Sequence, residues 1–210
     1  PFINKMALYR GQWQFKKGQL DPQSYQAMIA EKVDPIFERL CRQCKDEEIL
    51  TPKLVYGYFP CHSDGNDLIV YDPADPQQQL ERFTFPRQSS RGRLCIADFF
   101  RPAGAGDPDV LGLSCVTMGS VVSLRAKALF EGNQYSEYLY LHGFGVEAAE
   151  ALAEYWHKRM RQELGIVDND SSQVAGLFKQ QYRGSRYSFG YPACPRLEDQ
   201  PVLWQLLRPD

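Results

Sequence analysis

The sequence predicts an α+β fold: a central twisted antiparallel sheet flanked by helices, in a single compact domain. Three observations point there. Apolar residues recur at helical spacing before residue 47 and again after residue 119. Between these stretches lie short runs rich in aromatic and β-branched residues, divided by polar turn clusters. The returns between those runs are shorter than the crossover a parallel pair needs, so pairing is antiparallel. Strands gathered centrally with helices around them define the class.

Residues 1–20 form a lead-in segment in which Leu8, Trp13 and Phe15 are the anchors. Asp21 and Pro22 then read as N-cap and first helical position. Tyr25, Met28, Ile29, Val33, Ile36, Phe37 and Leu40 carry the helical spacing on to about residue 47, with Pro35 expected to kink or divide the helix. Strands are expected over residues 53–59, 68–71, 81–85, 94–96 and 110–117, the first pair joined through the Ser63-Asp64-Gly65-Asn66-Asp67 turn. Helical pattern returns over 121–130, 135–141 and 146–164, with Leu141-His142-Gly143-Phe144 as a helix-to-helix junction and Gly165 as the stop. Val146, Ala149, Ala153, Trp156, Met160 and Leu164 make an apolar stripe, and Glu150, Glu154 and His157 line an adjacent face. A capped helix over 173–183 and a short helix around Pro201 to Leu207 close the chain. The organisation is thus 1–20 lead-in, 21–118 helix plus antiparallel strands, and 119–210 helical part.

Composition narrows the function. Hydrophobic residues make up 43% of the 210, enough for a core. The 24 basic and 26 acidic side chains leave a net charge of −2, which gives no electrostatic case for nucleic acid or an anionic membrane. No apolar run approaches the roughly 20 residues of a membrane span. The chain opens on Pro1 without a signal segment and reads as a trimmed fragment of a cytoplasmic protein. Of the six cysteines only Cys41 and Cys44 are close, inside a helical pattern, with no second pair and no nearby histidine. They read as free thiols, and no metal site is expected. No Ser-His-Asp or Cys-His pairing and no glycine-rich phosphate loop occurs, so no side chain is assigned as catalytic. His62 is placed in a solvated loop, His142 at a helix junction and His157 as a half-buried hydrogen-bonder.

The most informative stretch is Arg186-Tyr187-Ser188-Phe189-Gly190-Tyr191-Pro192-Ala193-Cys194-Pro195. Arginine offers a planar fork that takes a carboxylate through two parallel hydrogen bonds. Gly190 lets a ligand approach the main chain, Pro192 fixes φ, and Pro195 biases Cys194 towards extended backbone. A stiff bend beside a cation suits a small zwitterion with a carboxylate.

Arg186-x-x-x-Gly190-Tyr191-Pro192-Ala193-Cys194-Pro195 resembles the adenosylmethionine-binding signature in the activation domain of cobalamin-dependent methionine synthases. In the family's order stand Ala7-Leu8-Tyr9-Arg10-Gly11-Gln12-Trp13, Ala97-Asp98-Phe99, Leu141-His142-Gly143-Phe144, Ala153-Glu154-Tyr155-Trp156-His157, Tyr182-Arg183-Gly184 and Trp204-Gln205-Leu206-Leu207. The resemblance spans nearly the whole chain.

The resemblance implies that Arg186 holds the carboxylate of S-adenosylmethionine and that main-chain groups around Gly190, Tyr191 and Ala193 meet the rest of its methionine part. It leaves the Tyr191 ring open, towards ligand or core. Glu150, which position alone would leave on a solvated helix face, matches an acidic position facing the ligand's ammonium. Asn4 (or Lys5) falls where the family supplies an aspartate, and Gln180 where it can carry a glutamate; both departures remove negative charge near a cationic ligand. The family also continues past Trp204-Gln205-Leu206-Leu207 into an aromatic segment, so either this chain is truncated at its C-terminus or its subfamily completes the site another way. The implied function is presentation of the adenosylmethionine methyl group for reductive remethylation of cobalamin. The cobalamin is held by a neighbouring domain of the same enzyme, and the electron comes from a flavodoxin-like or related donor. The alternatives are an interaction module that docks on the cobalamin domain or the donor without binding adenosylmethionine, and a dithiol protein using Cys41 and Cys44.

Overall fold

Asp21 starts the first α-helix as its chemistry predicts. Its carboxylate accepts from the Gln23 and Ser24 amides at 2.9 and 3.0 Å, two donors that helix α1 (Pro22–Met28) leaves without an internal partner. A π-helical turn, Ile29–Val33, follows, and then α2 (Asp34–Asp46) with Pro35 in its first turn. The α-helical run is thus divided by a π turn just before the proline. The computed structural model describes residues 2–89, 92–168 and 170–209. The fold is α+β, with a four-stranded antiparallel sheet and six α-helices among the described residues. It comprises two compact units: Pro1–Leu54 with Val116–Arg183, and Val55–Cys115 with Gly184–Asp210.

The first unit holds α1, α2, α3 (Ser120–Glu131), α4 (Tyr135–Glu163) and the short α5 (Val174–Leu177). Its lead-in segment contains a second π-helical turn, Ala7–Gln12, that the residue pattern had left undefined. Leu8 and Tyr9 bury from it, and Trp13 behind it stacks on Tyr9 and donates its indole N–H to the Tyr140 carbonyl at 3.0 Å. The Tyr9 hydroxyl donates to Asp34 at 2.6 Å, and Lys5 pairs with the same carboxylate at 3.1 Å. Burial first, then that carboxylate, push the Tyr9 phenol upward; the Tyr9 hydrogen bond holds Asp34 below its ordinary range.

Helix α4 corrects two expectations. It runs unbroken through Leu141-His142-Gly143-Phe144, with His142 exposed and stacked on Tyr138. The glycines there mark close approach and not a break. A Cβ on Gly143 would meet Gln12 Cβ at 2.7 Å and Trp13 Cδ1 at 3.0 Å, and one on Gly145 would meet Val122 Cγ2 at 3.0 Å. The buried face also differs from the apolar stripe, since Val146 and Leu164 are exposed. The inward positions include Glu147, Ala151, Glu154 and Arg161, with charged residues at every seventh place. Hydrophobic periodicity cannot find a face whose buried members are charged. The helix expected over 173–183 shrinks to Val174–Leu177, and Gln180 takes φ +55° beyond it.

The second unit is built on the sheet, in the order β3-β2-β1-β4, from β1 (Lys53–Asp64), β2 (Asp67–Tyr71), β3 (Gln79–Thr84) and β4 (Asp109–Thr117). Strands β1 and β2 meet through a two-residue turn, with Asp64 opposite Asp67 and Cys61 opposite Val70. His62 thus lies in β1 and not in a loop. Phe59, Cys61 and Ser63 alternate inward, and Leu68, Ile69 and Val70 are all buried in β2, an inner strand. Phe83, Phe85, Leu113 and Leu203 of α6 (Gln200–Leu207) join this core. The strand expected at 94–96 is absent: Asp98 accepts from the Cys95 amide at 3.1 Å and caps a short 3₁₀ helix, Ile96–Phe99. No helix among the described residues is long and apolar enough to cross a membrane.

The close approach at Gly143 is testable. Alanine is the better helix former by about 1 kcal/mol, yet Gly143→Ala should destabilise the chain by about 1–3 kcal/mol in urea unfolding, because a clash must be relieved. A more stable variant would mean that α4 does not pack on Gln12 and Trp13 this closely.

Candidate functional site

Two aromatic and thiol anchors set the bend at 186–195. Phe189 stacks on Phe83 with ring centroids 6.0 Å apart, and Cys194 is 4% exposed. Between them the main chain makes two successive turns. The Tyr191 amide donates to Ser188 O at 3.4 Å, with Gly190 third in that turn at φ +95°. A positive φ at this position is what a type II turn demands, and a Cβ there would also press on Leu197 at 3.2 Å. The Cys194 amide then donates to Tyr191 O and the Gly190 amide to Cys194 O, both at 2.9 Å. Pro192 occupies the second position of the Tyr191–Cys194 turn, which its fixed φ favours. The Cys194 thiol donates to Ser188 O at 3.0 Å, and burial, then the charge of Asp199, raises its pKa.

Arg186 enters this bend half-buried, its Nη1 3.4 Å from the Ser188 hydroxyl. Arg186, Gly190, Tyr191 and Ala193 are therefore brought together in one bend of the second unit. The Tyr191 ring is 60% exposed, which answers the question the sequence left open: it does not pack into the core. The Tyr191 amide and carbonyl both serve the bend itself.

Glu150 and Asn4 belong to the first unit. Glu150 is half-buried on α4. Asn4 is engaged locally: its side-chain oxygen accepts from the Ala7 amide at 3.2 Å, and its own amide donates to Glu147 Oε1 at 3.2 Å. Glu147 is the residue that the sequence reading missed. It is 6% exposed, and burial pushes its carboxyl up, opposed by the Asn4 amide and reinforced by the charge of Glu150. Its one signal in the sequence was the seven-residue interval to Glu154 and Arg161.

Two open cavities of about 510 and 520 Å³ lie in the first unit, one beside Arg39, Arg125 and Glu137, the other beside Lys5, Arg10 and Tyr25. Neither is lined by Arg186, Gly190, Tyr191, Ala193, Glu150 or Asn4; Lys5, the alternative to Asn4, borders the second. Among the described residues no group of three or more His, Cys, Asp or Glu side chains is placed to hold a metal ion. All six cysteines are free, and burial raises the thiols of Cys41 and Cys44, the latter to about 11. A redox dithiol requires the opposite shift.

Residues 8–210 match the family described as the vitamin B12-dependent methionine synthase activation domain. The chain belongs to that family. Among full-length relatives, the methionine synthases of Mycobacterium leprae and Mycobacterium tuberculosis are each 41% identical to it, over 100% and 99% of this chain. The chain spans 18% of the length of each. A crystal structure of the MetH reactivation domain bound to AdoHcy superimposes with a TM-score of 0.81 at 25% identity, covering 99% of this chain and 66% of that one. The activation-domain family is thus shared in sequence and in fold.

The buried carboxyl of this activation domain makes stability pH-dependent. As pH rises past about 4, the ordinary glutamate range, the unfolded chain releases the Glu147 proton before the folded chain does. Burial of this group therefore subtracts stability progressively with rising pH. Glu147→Gln keeps an oxygen for the Asn4 amide and should be more stable than the parent at pH 7, the advantage shrinking towards pH 4 in urea titrations. An advantage independent of pH would show that burial does not push this carboxyl upward.

Proposed function

We propose that this chain binds S-adenosylmethionine and presents its methyl group for the reductive remethylation of cobalamin within a cobalamin-dependent methionine synthase. The observation that carries the reading is the bend at 186–195, in a chain matched to the activation-domain family from residue 8 to residue 210. That bend is rigid where rigidity is useful: three main-chain hydrogen bonds, one glycine in a conformation other residues resist, one buried anchor in Cys194 and one partly buried anchor in Phe189. A half-buried guanidinium beside it fits the ligand's carboxylate. The bound AdoHcy of the MetH reactivation domain, a chain of matching fold, supports a sulfur-linked adenosyl amino acid as the ligand class.

In this reading Arg186 holds the carboxylate, and the backbone at Gly190, Tyr191 and Ala193 lies against the methionine chain. Glu150 is assigned the ammonium. Asn4, whose side-chain oxygen already accepts from Ala7, contributes at most its remaining lone pair. The ligand carries a sulfonium and an ammonium, so nearby carboxylates offset charge that Arg186 does not. No side chain acts as acid, base or nucleophile; the domain's contribution is position. Cobalamin, when bound by a neighbouring module, supplies the methyl-accepting metal centre. The partners in this reading are that module and a flavodoxin-like or related electron donor, in the cytoplasm.

Isothermal calorimetry with adenosylmethionine tests the assignment. A hydrogen bond to a charged group is worth about 1.5–3 kcal/mol, so Arg186→Ala should weaken binding about 10- to 100-fold. Equal affinities for the two proteins would remove Arg186 from the site. No binding by the wild type would favour the interaction-module alternative.

A further inference from the structure

The two π-helical turns, Ala7–Gln12 and Ile29–Val33, border one open cavity of about 520 Å³ in the first unit. The first turn supplies Tyr9 and Arg10 to its lining, and the second supplies Ile29. π-Helix is rare, and single turns of it gather at functional sites. None of these residues has a part in the adenosylmethionine reading above.

The charges around this cavity do not balance. Lys5, Arg10 and Lys17 line it with a single carboxylate, that of Asp34. The lining thus holds an excess of two positive charges, in a chain whose net charge is −2. The Asp34 carboxylate is already committed, to Lys5 at 3.1 Å and to the Tyr9 hydroxyl at 2.6 Å. Asp21, next to the lining Pro22, spends its carboxylate on the amides of Gln23 and Ser24. No ion pair among the described residues engages Arg10 or Lys17.

Arg10 is nevertheless held in place. Its Nε donates to the Tyr25 hydroxyl at 3.0 Å, and that hydroxyl donates to Phe15 O at 2.9 Å. Tyr25 is buried, with its ring centroid 4.8 Å from the guanidinium carbon. A neutral relay therefore fixes one nitrogen of the half-buried guanidinium. Nη1 and Nη2 find no acceptor among the described residues, and these are groups that bind oxyanions most strongly.

We propose that this cavity is a second binding site, for a small phosphomonoester with an apolar body. Above its second pKa of about 6 a phosphomonoester carries close to two negative charges, which matches the excess; a carboxylate carries one. Arginine takes phosphate oxygens in a planar fork, and lysine adds a point charge. Met6, Pro22 and Ile29 give the body an apolar wall. The volume falls in the range of about 300–1,000 Å³ typical of small-molecule sites. Adenosylmethionine, with two cationic groups and one carboxylate, is mismatched to three cations, so the inference stands apart from that reading.

Phenyl phosphate is the probe, titrated at about pH 7.5 into the full 210-residue chain and followed by nitrogen-15 NMR. Expected are saturable shifts of the Arg10 Nε–H and of the amides around Lys5, Arg10, Lys17 and Ile29. Phenyl phosphate should bind more tightly than inorganic phosphate, which lacks the body, and than benzoate, which lacks the second charge. Arg10→Gln and Lys17→Glu should each weaken it at least about tenfold. Should Arg10→Gln fail to fold, Lys17→Glu decides, because that side chain has no ion pair to lose. Absence of a saturable shift, or wild-type affinity in Lys17→Glu, overturns the site. Benzoate binding as tightly overturns the phosphate assignment, and inorganic phosphate binding as tightly reduces the cavity to a patch for any anion, which also overturns the proposal.

Discussion

Charge buried along α4 organises the first unit. Glu147 accepts the amide of Asn4, and Arg161 holds Asp170 and Tyr182, so the lead-in segment and a late loop are both tied to the same helix by polar contacts. Apolar packing alone would not specify these attachments, since hydrophobic burial is non-directional. Each buried charge instead demands a partner at hydrogen-bonding distance and in one orientation. Gly143 and Gly145 let Trp13 and Val122 come within contact distance of the helix backbone.

The second unit solves a different problem. A loop that binds a small zwitterion has to be stiff without the ladder of a helix or sheet, since mobile donors lose affinity to ordering costs. Here the sheet core takes Phe189 and Cys194 as anchors, and the backbone between them satisfies its own amides through two interlocked turns. Gly190 is the residue that makes the first turn possible, through its positive φ. The Tyr187 and Tyr191 side chains are exposed on this bend, and the Arg186 side chain is half-buried. In the proposed reading such a device would hold and orient the ligand, and the reaction would be carried by other groups.

Much of this was legible in the residues. The Asp21-Pro22 start, the division at Pro35 and the β1–β2 hairpin follow from local chemistry, which is why they emerged where expected. So did the bend, because proline fixes φ and glycine admits the positive φ that a tight turn needs. The misses share a cause. The course of α4 was obscured by glycines that usually end helices and here accommodate neighbours, and its inward face was hidden because Glu147, Glu154 and Arg161 look like surface residues. The 94–96 region has strand-like composition, yet the Asp98 cap overrides it. Gln180 lies past the point where the α5 helix gives way, a boundary set by the closure of Ser171 on Gln181 and not by propensity.

The central claim is that one guanidinium reads the carboxylate of adenosylmethionine. The most direct measurement compares adenosylmethionine with its decarboxylated analogue, following the Arg186 Nε–H resonance by nitrogen-15 NMR in the intact chain. The account predicts a saturable shift of that resonance with adenosylmethionine and little or none with the analogue, which should also bind more weakly. A resonance that moves equally with both ligands, or with neither while binding occurs, would contradict it.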